Sequence, residues 1–400
     1  MHNTRKVTED IIWLGASDRR ISLFENVYPV PEGMSYNNYL ILDDKTALMD
    51  GIDDAVSTQF FENLEYALSG RTLDYFIVQH MEPDHCACIP QLVSMYPDLK
   101  IVATAKAIQM IQQFFGIDVS DWAVTVKEGD ELKLGSHVLE FVTAPMVHWP
   151  EVIVTYDRTT GALFSADAFG SFGALSGNIF ADEVDWERDV ADEARRYYVN
   201  IVGKYGAQSS ALLSKAKNLD IKMLLPLHGY IWRKDLYQII GRYAKWASYT
   251  PEVDSVAIFY GSVYGNTANA ADVLAIKLAE LGVRDVKVFD TSKTHPSELV
   301  SRAFQYGTLV FASSTYNAEI FDTMHTLLVD LKNHNLCNRT VGLIENGSWA
   351  PVTARKMREI LETMKGMEIV EPVVTLKSSL STDSYETLNN LAKVLSDNID

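Results

Sequence analysis

The run His80-Met81-Glu82-Pro83-Asp84-His85 packs four potential metal ligands into six residues. It directly follows the apolar stretch Tyr75-Phe76-Ile77-Val78, so a buried strand opens straight into a ligand-rich loop. The second ligand decides the chemistry. Glu82 is a hard carboxylate, and an oxygen donor at this position tilts the site from zinc toward iron. Zinc has no redox chemistry. The loop therefore points toward electron transfer rather than hydrolysis.

Three later positions each follow a predicted strand, and each supplies a ligand type. They are His148 in Pro145-Met146-Val147-His148-Trp149-Pro150, Asp167 in Phe164-Ser165-Ala166-Asp167, and His228 in Leu225-Pro226-Leu227-His228-Gly229. With the loop they offer four imidazoles and three carboxylates. That set is too large for one tetrahedral ion and suits two. Asp167 is the natural bridge, because a carboxylate has two oxygens. A single histidine after a strand is most often structural; the weight lies in seven such positions in order. His2, His137, His295, His325 and His334 lack this context and read as surface or core residues.

A second constellation lies near the middle of the chain. Ser262, Val263, Tyr264, Gly265, Asn266 and Thr267 follow a predicted strand and precede a helical pattern. Hydroxyls, an amide and a glycine before a helix make a phosphate nest, because backbone N–H groups and the helix dipole favour an anion. The loop has neither the lysine of a triphosphate-binding loop nor a G-x-G-x-x-G pattern. Two further loops end successive strands. One holds Ser313, Ser314, Thr315, Tyr316 and Asn317, the other Asn346, Gly347, Ser348 and Trp349. Polar loops with aromatic walls, here Tyr316 and Trp349, suit a flavin ring. The first loop resembles the FMN phosphate loop of flavodoxins.

These groups need two different frameworks. Up to about Ala247 the pattern is one of short strands and interspersed helices. Ser35–Leu42 and Thr46–Asp50 read as a hairpin around Asp43-Asp44. Helical patterns cover Val56 to Leu68 and a long tract from Trp186 to Ala216. Strands are expected at Ile101–Ala103, His137–Thr143, Val152–Tyr156, Ala162–Ser165 and Ile221–Leu225. That mix predicts helices packed outside two sheets. After the helical pattern Leu236–Trp246 comes Pro251, and a helix usually ends before proline. The domains are accordingly expected at residues 1–249 and 250–400. Beyond the boundary, strands at Ser255–Phe259, Asp285–Phe289, Thr308–Ala312, Val341–Ile344 and Val373–Leu376 alternate strictly with helices. Such alternation predicts a doubly wound parallel sheet with its ligand at the carboxyl ends of the strands.

Composition narrows the setting. The chain is 47% hydrophobic and 22% charged, as expected of a globular protein. Its formal net charge of -18 argues against a nucleic-acid partner. Cys86, Cys88 and Cys337 form no C-x-x-C pair and no disulfide framework, which fits a reducing cytoplasm. No apolar run approaches a membrane span, and no apolar signal region follows Met1.

The metal pattern H-x-E-x-D-H resembles that of the metallo-β-lactamase superfamily, whose zinc enzymes carry H-x-H-x-D-H. The glutamate variant, followed by a flavodoxin-like module, resembles the flavodiiron proteins over nearly the whole chain. The resemblance implies an N-terminal metallo-β-lactamase-like αββα sandwich and a C-terminal flavodoxin-like doubly wound sheet. It implies that His80, Glu82 and His148 hold one iron, that Asp84, His85 and His228 hold the other, and that Asp167 bridges them. It gives Tyr197 a catalytic place as a donor beside the diiron pocket, although helix packing would account for that residue equally well. It implies FMN as the second cofactor and reduction of dioxygen to water, the favoured expectation, and/or of nitric oxide to nitrous oxide. With no C-x-x-C pairs for a fused rubredoxin, electrons are expected from a separate donor: a rubredoxin, a flavin reductase or a reduced deazaflavin. A head-to-tail homodimer, or a dimer of such dimers, would bring one subunit's FMN beside the other's irons. Glu82 does not exclude zinc by itself. A dizinc hydrolase with an attached flavodoxin module, or an electron carrier with a structural metal site, stays open at this point.

Overall fold

The computed structural model describes residues 1–399. The chain divides into two compact units. One comprises Met1–Tyr198 and Ala207–Ala244; the other comprises Val199–Gly206 and the chain from Lys245 onward. The division falls a few residues before the expected boundary. The reason is local bonding. Tyr249 accepts from Arg339 Nη1 through its carbonyl and donates its hydroxyl to Gly203 O. Asn335 Nδ2 donates to Lys204 O. The Val199–Gly206 segment and the stretch before Pro251 therefore travel with the second unit.

The first unit is a sandwich of two sheets. The larger has seven strands in the order Arg5–Lys6, Ile11–Trp13, Tyr39–Leu42, Thr46–Met49, Tyr75–Ile77, Lys100–Ala103 and Ala123–Thr125. The smaller has five: Glu131–Lys133, Val138–Thr143, Ile153–Asp157, Ala162–Phe164 and Met223–Leu225. Ile41, Met49, Ile77 and Val102 of one sheet share a core with Phe141, Ile153, Phe164 and Leu225 of the other. Alternation along each strand sends these residues inward, and their burial drives the two sheets together. Ser57–Leu68 and Ala105–Phe115 cover the first sheet. Gly206–Ala216 lies on the second, with Lys215 Nζ 2.8 Å from Thr143 O. The αββα sandwich is thus the architecture of this unit.

Two sequence expectations are corrected. The run Ser35–Leu42 is not one strand. Met34–Tyr36 pairs with Ala16–Asp18, whereas Tyr39–Leu42 pairs with Thr46–Met49. Asn37 and Asn38 break it, because their buried amides are spent on Pro226 O, Gly229 O and Gly51 O. The long helical tract is also interrupted. It runs as Trp186–Asp189, Ala191–Tyr197, a π-helical turn at Tyr198–Val202, a 3-10 turn at Gly203–Tyr205, and Gly206–Ala216.

In the second unit the strands Lys287–Asp290, Val253–Gly261, Tyr306–Tyr316 and Arg339–Asn346 lie side by side, all parallel. Met367–Ile369 and Val374–Leu376 both pair with Arg339–Asn346. The succession second-first-third-fourth-fifth is the flavodoxin-like order, whose ligand crevice opens where the strand order reverses. Asn266–Glu280 and Thr382–Asp397 pack on one face through Ala270, Leu274, Leu388 and Leu391. Met367–Ile369 went unseen in the sequence. It is three residues long and has no fully buried residue.

Candidate metal and flavin sites

Every metal-ligand candidate sits where a strand runs out. His80 follows Tyr75–Ile77, His148 follows Val138–Thr143, Asp167 follows Ala162–Phe164, and His228 follows Met223–Leu225. Pro83 then starts a single helical turn, Pro83–Cys86, that carries Asp84 and His85. Proline suits this first helical position, since its missing N–H would be unpaired there anyway. All seven side chains are buried. They converge as two groups: His80, Glu82, His148 and Asp167, and then Asp84, His85 and His228.

Asp167 stands between the groups. Its Oδ2 lies 3.2 Å from His80 Nε2 and 3.3 Å from His148 Nε2. Its Oδ1 lies 3.2 Å from His85 Nε2 and 3.6 Å from His228 Nε2. Glu82 Oε2 is 3.2 Å from His80 Nε2 and 3.1 Å from His148 Nε2. Asp84 Oδ2 is 3.2 Å from His228 Nε2. These are contact distances, yet both oxygens of Asp84 and Asp167 and the Nε2 atoms of His85 and His228 find no hydrogen-bond partner among the described residues. Buried polar atoms are otherwise almost always paired. Donors that meet without bonding one another are aimed at a third object, and a cation is what carboxylates and bare imidazole nitrogens share.

The electrostatics agree. Burial alone would neutralise Asp167, but His80, His148 and His85 hold it well below the usual carboxylate range. Burial opposes a charged His148, yet Asp167 and Glu82 outweigh it and raise the imidazole to about 9. His85 is likewise raised to about 9 against burial by Asp84 and Asp167. The cluster demands positive charge at these nitrogens, and protons and metal ions compete for the same lone pairs. The donor set is mixed imidazole and carboxylate with no thiolate, which fits iron. Cys86 and Cys88 flank the loop but are not part of it; Cys86 Sγ is engaged with Met81 O at 3.2 Å.

Outer residues that the sequence reading missed hold the ligands in place. The Asp50 carboxylate accepts from the backbone N–H of Gln79 at 2.8 Å and of His80 at 3.3 Å. His228 Nδ1 donates to Ser35 O at 2.7 Å, which leaves Nε2 as the bare nitrogen. Asn37 Nδ2 donates to Pro226 O and Gly229 O on either side of His228. Glu151 Oε1 lies 2.8 Å from His80 Nδ1. The available signals were Met49-Asp50-Gly51 at a strand end and the glutamate in His148-Trp149-Pro150-Glu151. Glu25 had no signal at all. It sits at the tip of the hairpin Leu23–Phe24/Tyr28–Pro29 with φ 49. Burial and its hydrogen-bonded neighbour Glu82 push its carboxyl up to about 9.

Tyr197 is buried at the end of Ala191–Tyr197, its ring centroid 5.5 Å from that of His228 and 5.1 Å from Phe172. Burial, then Asp167, Glu82 and Asp84, keep its phenol well above the ordinary range and so protonated. His137, grouped above with surface or core residues, is a core residue tied to Asp157 at 2.8 Å.

In the second unit a cavity of about 500 Å³ opens at the strand ends. It is lined by Ser262, Val263, Tyr264, Asn266 and Thr267, by Ser314 to Asn317, and by Asn346 to Trp349. Gly265 and Ser313 do not line it. Gly265 supplies the left-handed turn (φ 94) that starts Asn266–Glu280, and buried Ser313 accepts from Phe321 N behind the wall. Ala318 and Ala350, which continue the same two loops, also line it, and Ser378 was an unforeseen wall residue. Ser378 N donates to Asn346 Oδ1, and Asn346 Nδ2 to Ser378 O. Tyr264 and Trp349 are 93% and 92% exposed, so both rings are free to stack on a planar ligand. The cavity volume lies in the range of cofactor sites, and its polar loops with exposed aromatics match a flavin and its phosphate.

A sandwich with a seven-residue, two-group metal cluster, joined to a flavodoxin-like unit, defines a two-module metalloflavoprotein. Residues 34–229 match the family described as ODP family beta lactamase, and residues 258–388 match flavodoxin. The anaerobic nitric oxide reductase flavorubredoxin of Vibrio vulnificus is 34% identical over 78% of this chain and 64% of its own length. The protein of the same name from Escherichia coli is 31% identical over 86% of this chain and 72% of its own. This chain thus spans slightly under two thirds of the Vibrio relative. The rubredoxin oxygen:oxidoreductase structure from Desulfovibrio gigas superposes with a TM-score of 0.92 at 26% identity, covering 98% of both chains. The chain belongs to the flavodiiron protein family.

Proposed function

We propose that this protein is an oxidoreductase that reduces dioxygen to water or nitric oxide to nitrous oxide. Its cofactors are FMN and a pair of irons. The observation that carries the reading is the single carboxylate, Asp167, facing two separate imidazole-carboxylate groups in a chain that also holds a flavin cradle. His80, Glu82 and His148 would hold one iron, Asp84, His85 and His228 the other, with Asp167 between them. The FMN phosphate would lie in the nest Ser262–Thr267, with Tyr316 and Trp349 as walls for the ring. The dizinc hydrolase is not favoured, because it leaves the flavin cradle without a purpose.

When bound, two ferrous irons and one reduced flavin supply four electrons, which matches dioxygen to two waters, while two electrons suffice to join two nitric oxides. The chain's own residues do the rest. Phe24 and Tyr36 pack against His228, each with ring centroids 5.6 Å away, and Trp149 stands against His80 at 5.2 Å. These rings exclude water around the ligands. The protonated Tyr197 hydroxyl is a hydrogen-bond donor for the pocket. No step requires a protein nucleophile.

Among the described residues no helix is long and apolar enough to cross a membrane. The acidic charge speaks against a nucleic-acid partner, and unpaired buried cysteines support a cytoplasmic setting. A separate electron donor is part of the proposal. The names of the E. coli and D. gigas relatives support a rubredoxin; a flavin reductase and a reduced deazaflavin are the alternatives. Metal ligands and flavin cradle lie in different units, which supports a head-to-tail homodimer or a pair of such dimers as the working form. Full turnover by an isolated monomer would refute that assembly.

The deciding experiment has two parts. Metal analysis of protein produced with ample iron should find two irons per chain; two zincs and no iron would sink the redox reading. Steady-state assays with dioxygen and nitric oxide, using one common reduced donor, should then show turnover with at least one gas.

A further inference from the structure

The two ligand groups are backed differently. His80 Nδ1 faces the fully buried Glu151 carboxylate at 2.8 Å. The same oxygen, Oε1, accepts the backbone N–H of Met81 at 2.9 Å, so the glutamate holds both the ring and the loop that carries it. The backbone of Glu151 is itself fixed, its carbonyl accepting from Thr104 Oγ1 at 3.2 Å. In the other group, His228 Nδ1 donates to a neutral carbonyl, Ser35 O. The buried Nδ1 of His85 finds no partner among the described residues.

An anion behind an imidazole fixes its tautomer and raises its basicity toward a metal, whereas a neutral carbonyl fixes the tautomer with less gain. A ligand with no outer partner has neither support. Each group has two carboxylates within reach, Glu82 and Asp167 at His80 and Asp84 and Asp167 at His85, so the difference lies in what stands behind the imidazoles.

We propose that Glu151 is a positioning residue that makes the two metal positions unequal. The position served by His80, Glu82 and His148 binds its metal more tightly than the position served by Asp84, His85 and His228. The inference rests on the ligand assignment made above.

The probe is Fe(II) alone, titrated anaerobically into the metal-free protein in competition with a chromophoric chelator. Urea unfolding followed by circular dichroism reports that the first unit of each variant is folded, and bound FMN, whose cradle lies in the other unit, reports the second. Wild type should take two ions with unequal affinities. Glu151→Gln should weaken the tighter site by about 10- to 100-fold and leave the weaker one in place. Glu151→Asp, which keeps the charge, should recover part of that loss. Equal weakening of both sites in the Gln variant would overturn the proposal, as would no weakening at all. An Asp variant no better than Gln would assign the effect to packing and overturn it too. If wild type itself took fewer than two ions, the ligand assignment would be at fault rather than the role of Glu151.

Discussion

Asp167 Oδ1 stands 3.2 Å from His85 Nε2, and neither atom has a hydrogen-bond partner among the described residues. An acid and a base that touch without bonding, deep in a protein, are held for something else. Replacing Asp167 or His148 by alanine should therefore empty the metal site and abolish turnover while the flavin spectrum stays that of wild type. Iron content per chain and the FMN absorbance measure the two halves separately. A variant that kept two irons would argue against Asp167 as the shared ligand.

Gly51 lies directly under the ligand loop, its N–H donating to His85 O at 2.8 Å. A Cβ there would collide with Cys88 Sγ and with the His85 carbonyl. Gly51→Ala should cost about 1–3 kcal/mol of stability by overpacking, because the backbone cannot move aside. It should also lower iron content by displacing His85. Denaturant unfolding together with metal analysis tests this, and a normal iron content would show that the loop yields more easily than its bonding implies.

Trp349 is almost fully exposed, so its replacement should not affect folding. An aromatic stacking contact contributes about 0.5–1.5 kcal/mol. Trp349→Ala should then weaken FMN binding by roughly 2- to 10-fold with an unchanged melting temperature. Quenching of flavin fluorescence on titration reads the affinity directly.

Arg339 is buried, and among the described residues no carboxylate pairs with it. Its guanidinium donates to the carbonyls of Tyr249, Ala303, Phe304, Cys337 and Asn338. Ala303 and Phe304 belong to the last turn of Pro296–Gln305, where helical carbonyls lack partners and favour a cation. Arg339→Met should destabilise the flavodoxin-like unit by about 3–5 kcal/mol, since several buried acceptors lose their donor at once. Urea unfolding followed by FMN release measures it.

His137 and Asp157 form a buried pair at 2.8 Å, and Asp10 approaches the other ring nitrogen at 3.3 Å. The hydrogen bond that His137 Nδ1 donates to Asp157 raises His137 above its ordinary range, and despite burial His137 lowers Asp157 below its own. For the histidine, the raised value means that its stabilisation is complete below the ordinary imidazole range and fades as pH rises through the raised one. For the aspartate, the stabilisation is present above the ordinary carboxylate range and fades on acidification. The pair should thus stabilise the first unit most in mildly acidic to neutral solution. His137→Gln should cost about 1–3 kcal/mol there and less at alkaline pH, read from urea midpoints across pH. A cost independent of pH would mean that the imidazole is neutral in the fold.

The candidate ligands, which the fold brings together in two groups, were legible in the chain because they lie at or just after strand ends, and strand ends can be read from apolar runs and the turn residues after them. His80 to His85, His148, Asp167 and His228 needed only that grammar, and the two-module order followed from the change between mixed strands and strict alternation. Glu82 spoke for iron by its chemistry alone. What only the tertiary structure decided is which groups face which. That Asp167 divides its oxygens between two clusters depends on the packing of two sheets whose residues lie far apart in sequence. Asp50, Ser35, Asn37 and Glu151 act by lending one oxygen or amide to a distant loop, and no periodicity marks such a role. Glu25 reaches the ligands from a hairpin tip held in a left-handed turn, a conformation that a glutamate in a sequence does not announce. Patterns along a chain report burial and local geometry, whereas outer support is a matter of long-range registration, which only the folded sandwich creates.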